Sequence, residues 1–268
     1  MAISVSAAVN NAATGSSTTL ALASVVMAAG DRIMVAMRWR PLTATVSLSD
    51  GVNSFLQVGG YSNDDADRMA MFEAINVASG TRTVTATFSA SSTFRYASSV
   101  KVSGSDANPA QAVVFTSNKD GTWTSATDNM ASGSLTPTGQ PAGVIGWGGT
   151  IYNGRSIAAG TGYTDLGALS AWDSANGDTS RLEWKRVTST VNSPVTFTLS
   201  GSEGGFVWGV VVGEAAAGGG ATRGTPFGHR GTAFNGGRTF HGILARTNAA
   251  YARRRWKTNP GGRVLIAA

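Results

Sequence analysis

Period-two alternation of apolar and polar residues, broken by turn residues, dominates the chain as far as Gly213, and helical spacing is scarce. Asp31-Arg32-Ile33-Met34-Val35-Ala36-Met37 reads as a buried strand opened by an Ala29-Gly30-Asp31 turn. Thr43 to Leu48 alternates and stops at Ser49-Asp50-Gly51, where Gly supplies the positive φ that a tight turn needs. Thr81 to Phe88 alternates Thr with Val, Ala and Phe, and Phe94 to Val102 follows closely. Short strands at close spacing, separated by Gly, Ser and Asn, predict an all-β, antiparallel β-sandwich of jelly-roll type.

The pattern occurs twice. Thr83-Val84-Thr85-Ala86-Thr87-Phe88, Phe94-Arg95-Tyr96 and Val100-Lys101-Val102-Ser103-Gly104 are matched by Pro194-Val195-Thr196-Phe197-Thr198-Leu199, Phe206-Val207-Trp208 and Val210-Val211-Val212-Gly213. Met71 to Val77 parallels Arg181 to Val187, and the segment from Asp50-Gly51 to Gly60 parallels Gly160 to Gly167. Four elements in the same order, about 110 residues apart, define two pseudo-repeats, 1–107 and 108–217. They form either two sandwiches in tandem or two halves of one larger sandwich. Aligning Phe72 and Ala74 with Leu182 and Trp184 puts Glu73 and Glu183 on the opposite, solvent side of their strands, where outward charge blunts aggregation.

Composition narrows the class. Charged residues make up 13% of the 268 and apolar residues 42%, so the low charge does not signal disorder. The absence of cysteine excludes disulfides and thiolate metal sites. Met1-Ala2-Ile3-Ser4-Val5 lacks the charged-then-apolar order of a secretory signal, and the apolar run from Leu20 to Gly30 is too short to span a bilayer, so a soluble product is expected.

Charge is unevenly divided. Residues 218–268 hold nine of the 21 Lys and Arg, both histidines, and none of the 15 Asp and Glu. The remainder therefore carries twelve basic and fifteen acidic residues, a net of about −3 against +9 for the C-terminal arm.

The succession of an Ala-Gly-Asp turn with an apolar strand (Ala29 to Met37), a Gly turn before an aromatic (Asp50 to Phe55), a strand ending near Gly80, a Thr/Val/Phe strand, and a strand closing on Ser-Gly (Val100 to Gly104) resembles β-sandwich modules of tailed-bacteriophage structural proteins. The resemblance covers most of residues 17–216. Such modules often carry a Gly-Trp-Thr turn; here Val52-Asn53-Ser54-Phe55 and Gly162-Tyr163-Thr164 take its place. The resemblance implies a virion component assembled in the host cytoplasm, homo-oligomeric or multi-copy and not an enzyme, with other virion proteins, capsid or tail, as partners.

No Gly-x-Ser-x-Gly elbow, P-loop or His-Glu-x-x-His motif occurs, and no catalytic residue, cofactor or metal site is expected. Asn63-Asp64-Asp65-Ala66-Asp67 and the loop with Asp173, Asn176 and Asp178 could offer oxygen ligands to Ca²⁺, but they lack EF-hand spacing and read as solvated loops. Trp184 and Trp208 sit at core phase. Trp123, Trp147, Tyr152, Tyr163 and Trp172 lie nearer turns; of these, Trp147, Tyr152 and Trp172 are the candidates for stacking on a glycan.

The arm opens with Gly218-Gly219-Gly220, a flexible joint. Its candidate partner-binding residues interleave cations with aromatics: Arg223, Arg230, Phe234, Arg238, Phe240, Arg246, Tyr251, Arg253, Arg254, Arg255, Trp256, Lys257 and Arg263. Residues 242–257 can form one short helix, and Val264-Leu265-Ile266 can add to a neighbouring sheet. Docking on an acidic protein surface is the first expectation, with stacking on single-stranded nucleic acid and packing of the arm on its own body as the alternatives. No membrane partner is expected. The whole reads as a capsid decoration or accessory protein. The alternative is a tail or fibre component that binds host glycans, and a glycan-active enzyme is the third class.

Overall fold

The computed structural model describes residues 1–64, 67–118, 129–138, 141–150, 155–170, 179–201 and 204–216. Chain contacts separate a compact unit, Met1–Thr222, from Arg223–Ala268. The predicted arm, 218–268, and its helix lie outside the described residues. Among those described there is no helix, and every strand pairing is antiparallel. The fold is all-β, as the alternation predicts.

The first repeat supplies β1 (Ser4–Val5), β2 (Val9–Ala21), β3 (Val25–Met27), β4 (Arg32–Arg40), β5 (Val46–Ser49), β6 (Leu56–Asp64), β7 (Asp67–Ala74), β8 (Gly80–Arg82) and β9 (Thr85–Ser103). The second supplies β10 (Ala112–Asn118), β11 (Asn129–Ala131), β12 (Ala142–Thr150), β13 (Ile157–Ala159), β14 (Thr164–Ser170), β15 (Thr179–Val187), β16 (Thr196–Leu199) and β17 (Gly205–Gly213). Sheet I runs β1-β9-β4-β7-β6, with β2 and β5 also on β9; sheet II runs β10-β17-β12-β15-β14. Smaller ladders, β3-β8 and β11-β16-β13, complete the two repeats.

The duplication is written into the register. Val46 pairs with Phe88 and Ile157 with Leu199, an advance of 111 for both partners (46 to 157, 88 to 199). Met34 opposite Glu73 becomes Ile145 opposite Trp184, again 111 for each. Gly51 and Gly162, the same interval apart, both hold a positive φ, +81° and +80°, in the turns that close these segments. The copies differ where β9 runs on through Ser89–Thr93, whereas Ser200-Gly201-Ser202-Glu203-Gly204 separates β16 from β17.

Three apolar layers result. A central one joins the two main sheets: Met34, Ala36, Met69, Met71 and Tyr96 of sheet I meet Ile145, Trp147, Leu182, Phe206, Trp208 and Val210 of sheet II. The far face of sheet I buries Val35, Met37, Trp39 and Phe72 with Leu20, Val46 and Phe88. The far face of sheet II buries Val144, Val207 and Val211 with Met130, Ile157 and Phe197. Each repeat is thus a small sandwich of its own, and the two are fused through their main sheets. This explains why β12 and β17 are buried at every position and read as continuous apolar runs.

Close approach of the outer layer of the second repeat depends on glycine. A Cβ at Gly148 would overlap the Phe197 ring, and one at Gly146 would overlap Val195. Gly148→Ala should therefore cost about 1–3 kcal/mol by overpacking, read as a lower urea midpoint with an unchanged slope.

Candidate functional site

Two carboxylates expected at the surface are buried, and they are the chemically distinctive groups of the described body. The correction follows from register. In β4 and β7 the copies are offset by 111 residues, not the 110 that aligns Phe72 with Leu182, and a one-residue slip exchanges faces. Glu73 shares its face with Met69 and Met71 of the central layer. Glu183 lies on the opposite face from Leu182 and is the counterpart of Phe72. The two are not equivalent positions.

Glu73 belongs to the junction between repeats. Its Oε2 accepts from Arg32 Nη1 at 2.7 Å, and its Oε1 accepts the Ala110 amide at 3.2 Å. Arg32, fully buried on β4, also donates through Nη2 to the Asp106 and Asn108 carbonyls and lies 3.4 Å from Asp106 Oδ1. Burial pushes the Arg32 guanidinium down, against the pull of Glu73 and Asp106. The cluster ties the β9–β10 connection to the middle of sheet I. Near the other end of β4, buried Arg38 donates to the Thr150 carbonyl at 3.1 Å and sits 5.7 Å from the Phe206 ring centre.

Glu183 is differently placed. It is 0% exposed, beside Gly146 and Val195 beneath the outer layer of the second repeat. Oε2 accepts the Gly160 amide at 2.7 Å, and Oε1 has no hydrogen-bond partner. Desolvation raises its pKa from 4.5 to about 8, overcoming the Gly160 and Thr196 amides and nearby Lys185. The carboxyl therefore favours its protonated form at pH 7. Lys185, lowered by burial, rests 4.3 Å from the Tyr163 ring centre, and the Tyr163 hydroxyl donates to the Pro194 carbonyl at 2.8 Å. Burial raises the Tyr163 hydroxyl well above its usual range. Asp165 is engaged by Arg181 at 2.5 Å. A carboxyl enclosed this way can hold a proton but cannot meet a solvent-borne substrate.

Trp147 is corrected as a glycan candidate. It is 0% exposed, edge-on to Phe206 at 4.7 Å and stacked near Tyr96 at 6.1 Å. It sits on the middle strand of a sheet covered on both faces, so no sugar can reach it. Trp208 is buried and Trp184 half-buried, in keeping with their core phase. Tyr152, Trp172, Trp123, the loop of Asp173, Asn176 and Asp178, and all thirteen arm residues from Arg223 to Arg263 lie outside the described residues, as do Asp65 and Ala66 of the first acidic loop. Among the described residues no group of three or more His, Cys, Asp or Glu is placed to hold a metal ion.

The buried carboxyls could not have been found from local alternation, because Glu183 breaks no rule until both faces of β15 are known to be covered. The chain matches no family model, no curated protein and no solved structure.

Glu183 carries a pH signature. The unfolded chain releases this proton near pH 4.5 and the folded one near 8, so stability falls as pH rises between those values and levels off above. The loss attributable to this group is on the order of 5 kcal/mol. Glu183→Gln should flatten that part of the profile and raise stability at pH 8, checked by urea unfolding across pH 4 to 9.

Proposed function

We propose that this chain is a non-enzymatic structural component of a tailed-phage virion, a capsid decoration or accessory protein whose double sandwich is displayed and whose basic C-terminal segment anchors it to neighbouring virion proteins. The observation that carries this reading is the coincidence of two boundaries. The compact unit ends at Thr222, and all nine cations of the acid-free segment fall from Arg223 onward. Within the compact unit, several charges are already matched: Arg32 with Glu73 and Asp106, Arg181 with Asp165, Arg186 with Glu214 at 2.6 Å. A separate segment with net charge near +9 and interleaved aromatics is suited to an acidic partner surface, with Arg, Tyr and Trp as anchors.

The fold is consistent with a displayed scaffold. The middle strands of its main sheets are buried on both faces, and the buried Arg32, Glu73 and Arg38 join the repeats. The glycan-binding reading of a tail or fibre component loses Trp147 and rests on Tyr152 and Trp172.

Deleting residues 218–268 tests the anchor. The truncated body should unfold cooperatively at a midpoint close to that of the full chain, yet its incorporation into particles should fall by more than about tenfold. Undiminished incorporation would sink the anchoring role. Tight, salt-sensitive binding of the full chain to single-stranded DNA, without affinity for a virion protein, would transfer the segment to a nucleic-acid role.

A further inference from the structure

The edge of a sheet is a row of backbone donors and acceptors open to another extended chain, and folded proteins interrupt such edges with brevity, bulges or charge. Sheet I ends at β1 and β2 on one side and β6 on the other; sheet II ends at β10 and β14. Three of these edges are interrupted. β1 has two residues, and β2 shifts register twice, around Thr14, Ser17 and Thr19. β14 shifts between Asp165 and Gly167, carries the Asp165–Arg181 ion pair, and offers its Leu166 carbonyl to the Ala8 amide at 2.7 Å. β6 shifts between Val58 and Ser62 and ends in Asp64.

The β10 edge has none of these devices. Its seven residues, Ala-Val-Val-Phe-Thr-Ser-Asn, pair in unbroken register with β17 and include no charge, no Pro and no Gly. Among the described residues no strand pairs with its other side, although β6 lies close to it without pairing. Both faces of the strand are apolar. Val113 and Phe115 pack against the central layer, Phe115 at 4.7 Å from Trp208, while Ala112 and Val114 pack against the outer layer of the second repeat. All four are half-buried.

An occupant of this edge has to be extended, uncharged and apolar on both faces, and β10 meets those terms itself. We infer that β10 pairs antiparallel with β10 of a second copy of this chain about a twofold axis at Val114, joining two five-stranded sheets II into one continuous sheet. Residues directly opposite in an antiparallel pair share a face, so a twofold pairing must centre on a residue, not between two. Centring on Val114 sets Val113 against Phe115 of the second copy twice, Ala112 against Thr116 twice, and Val114 against itself. Aromatic and β-branched residues are favourable cross-strand partners. Centring on Phe115 would set that ring against itself once but place Val113 against Ser117, losing both Val–Phe pairs. The contact is isologous and closes at two copies. It makes no use of the C-terminal segment, so its failure leaves the anchoring role untouched.

Because position 114 faces itself, it supplies its own control. The full-length chain should sediment as a dimer. Val114→Lys and Val114→Glu, each shown folded by a cooperative melt, should each lower the dimer fraction by at least about tenfold, since like charges directly opposite repel. Mixing the two variants in equal amounts should restore a dimer containing one of each. A monomeric parent chain, a dimer indifferent to both substitutions, or two monomeric variants that fail to recombine would each overturn the inference.

Discussion

Burial of the middle strands of both main sheets on both of their faces is the constraint from which the rest of the structure follows. A sandwich ordinarily leaves each sheet one wet face, and alternation then separates core from surface. Here β4, β12 and β17 face apolar layers on either side, so alternation assigns residues to one core or another instead of to core or solvent. Any polar side chain on these strands must find its partners inside the protein.

The two buried arginines of β4 show how that requirement is met. Arg32 is neutralised by Glu73 and bonded to the carbonyls of the β9–β10 connection, so the route of the chain between repeats is fixed by the hydrogen bonds of one guanidinium. Arg38 reaches the Thr150 carbonyl and the Phe206 ring of the second repeat. Apolar residues of equal volume can be as stabilising as a buried pair, so the value of this arrangement lies in specifying one docking of the two repeats. Glu183 solves the same problem by remaining protonated, at the expense of stability as pH rises.

Much of the fold was legible because strand periodicity and turn chemistry are local. The turns at Gly51 and Gly162, the strand ending at Leu199 and the strand from Asp31 onward are where alternation puts them, whereas the strands expected to end at Phe88 and to begin at Phe94 run together in β9. The repeat was legible too, because duplicated strands keep their spacing. Its offset was legible only to within one residue, and in a strand one residue exchanges faces. That is how Glu73 and Glu183 were expected outside. Trp147 was misjudged for a related reason: proximity to a Gly-rich turn says nothing about what packs above the strand. The candidate residues of the C-terminal segment lie outside the described part of the chain, so the site most visible in the sequence is carried by charge alone.

The sequence by itself determined an all-β body made of two copies of one pattern, and a boundary beyond which charge becomes wholly positive, because both are properties of neighbouring residues. The tertiary structure decided that the copies are separate sandwiches fused through their main sheets. It also decided which carboxyls lose their water and which edge stays regular. Each of those depends on what lies across a layer or beside a strand, far away along the chain, and local pattern holds no record of it.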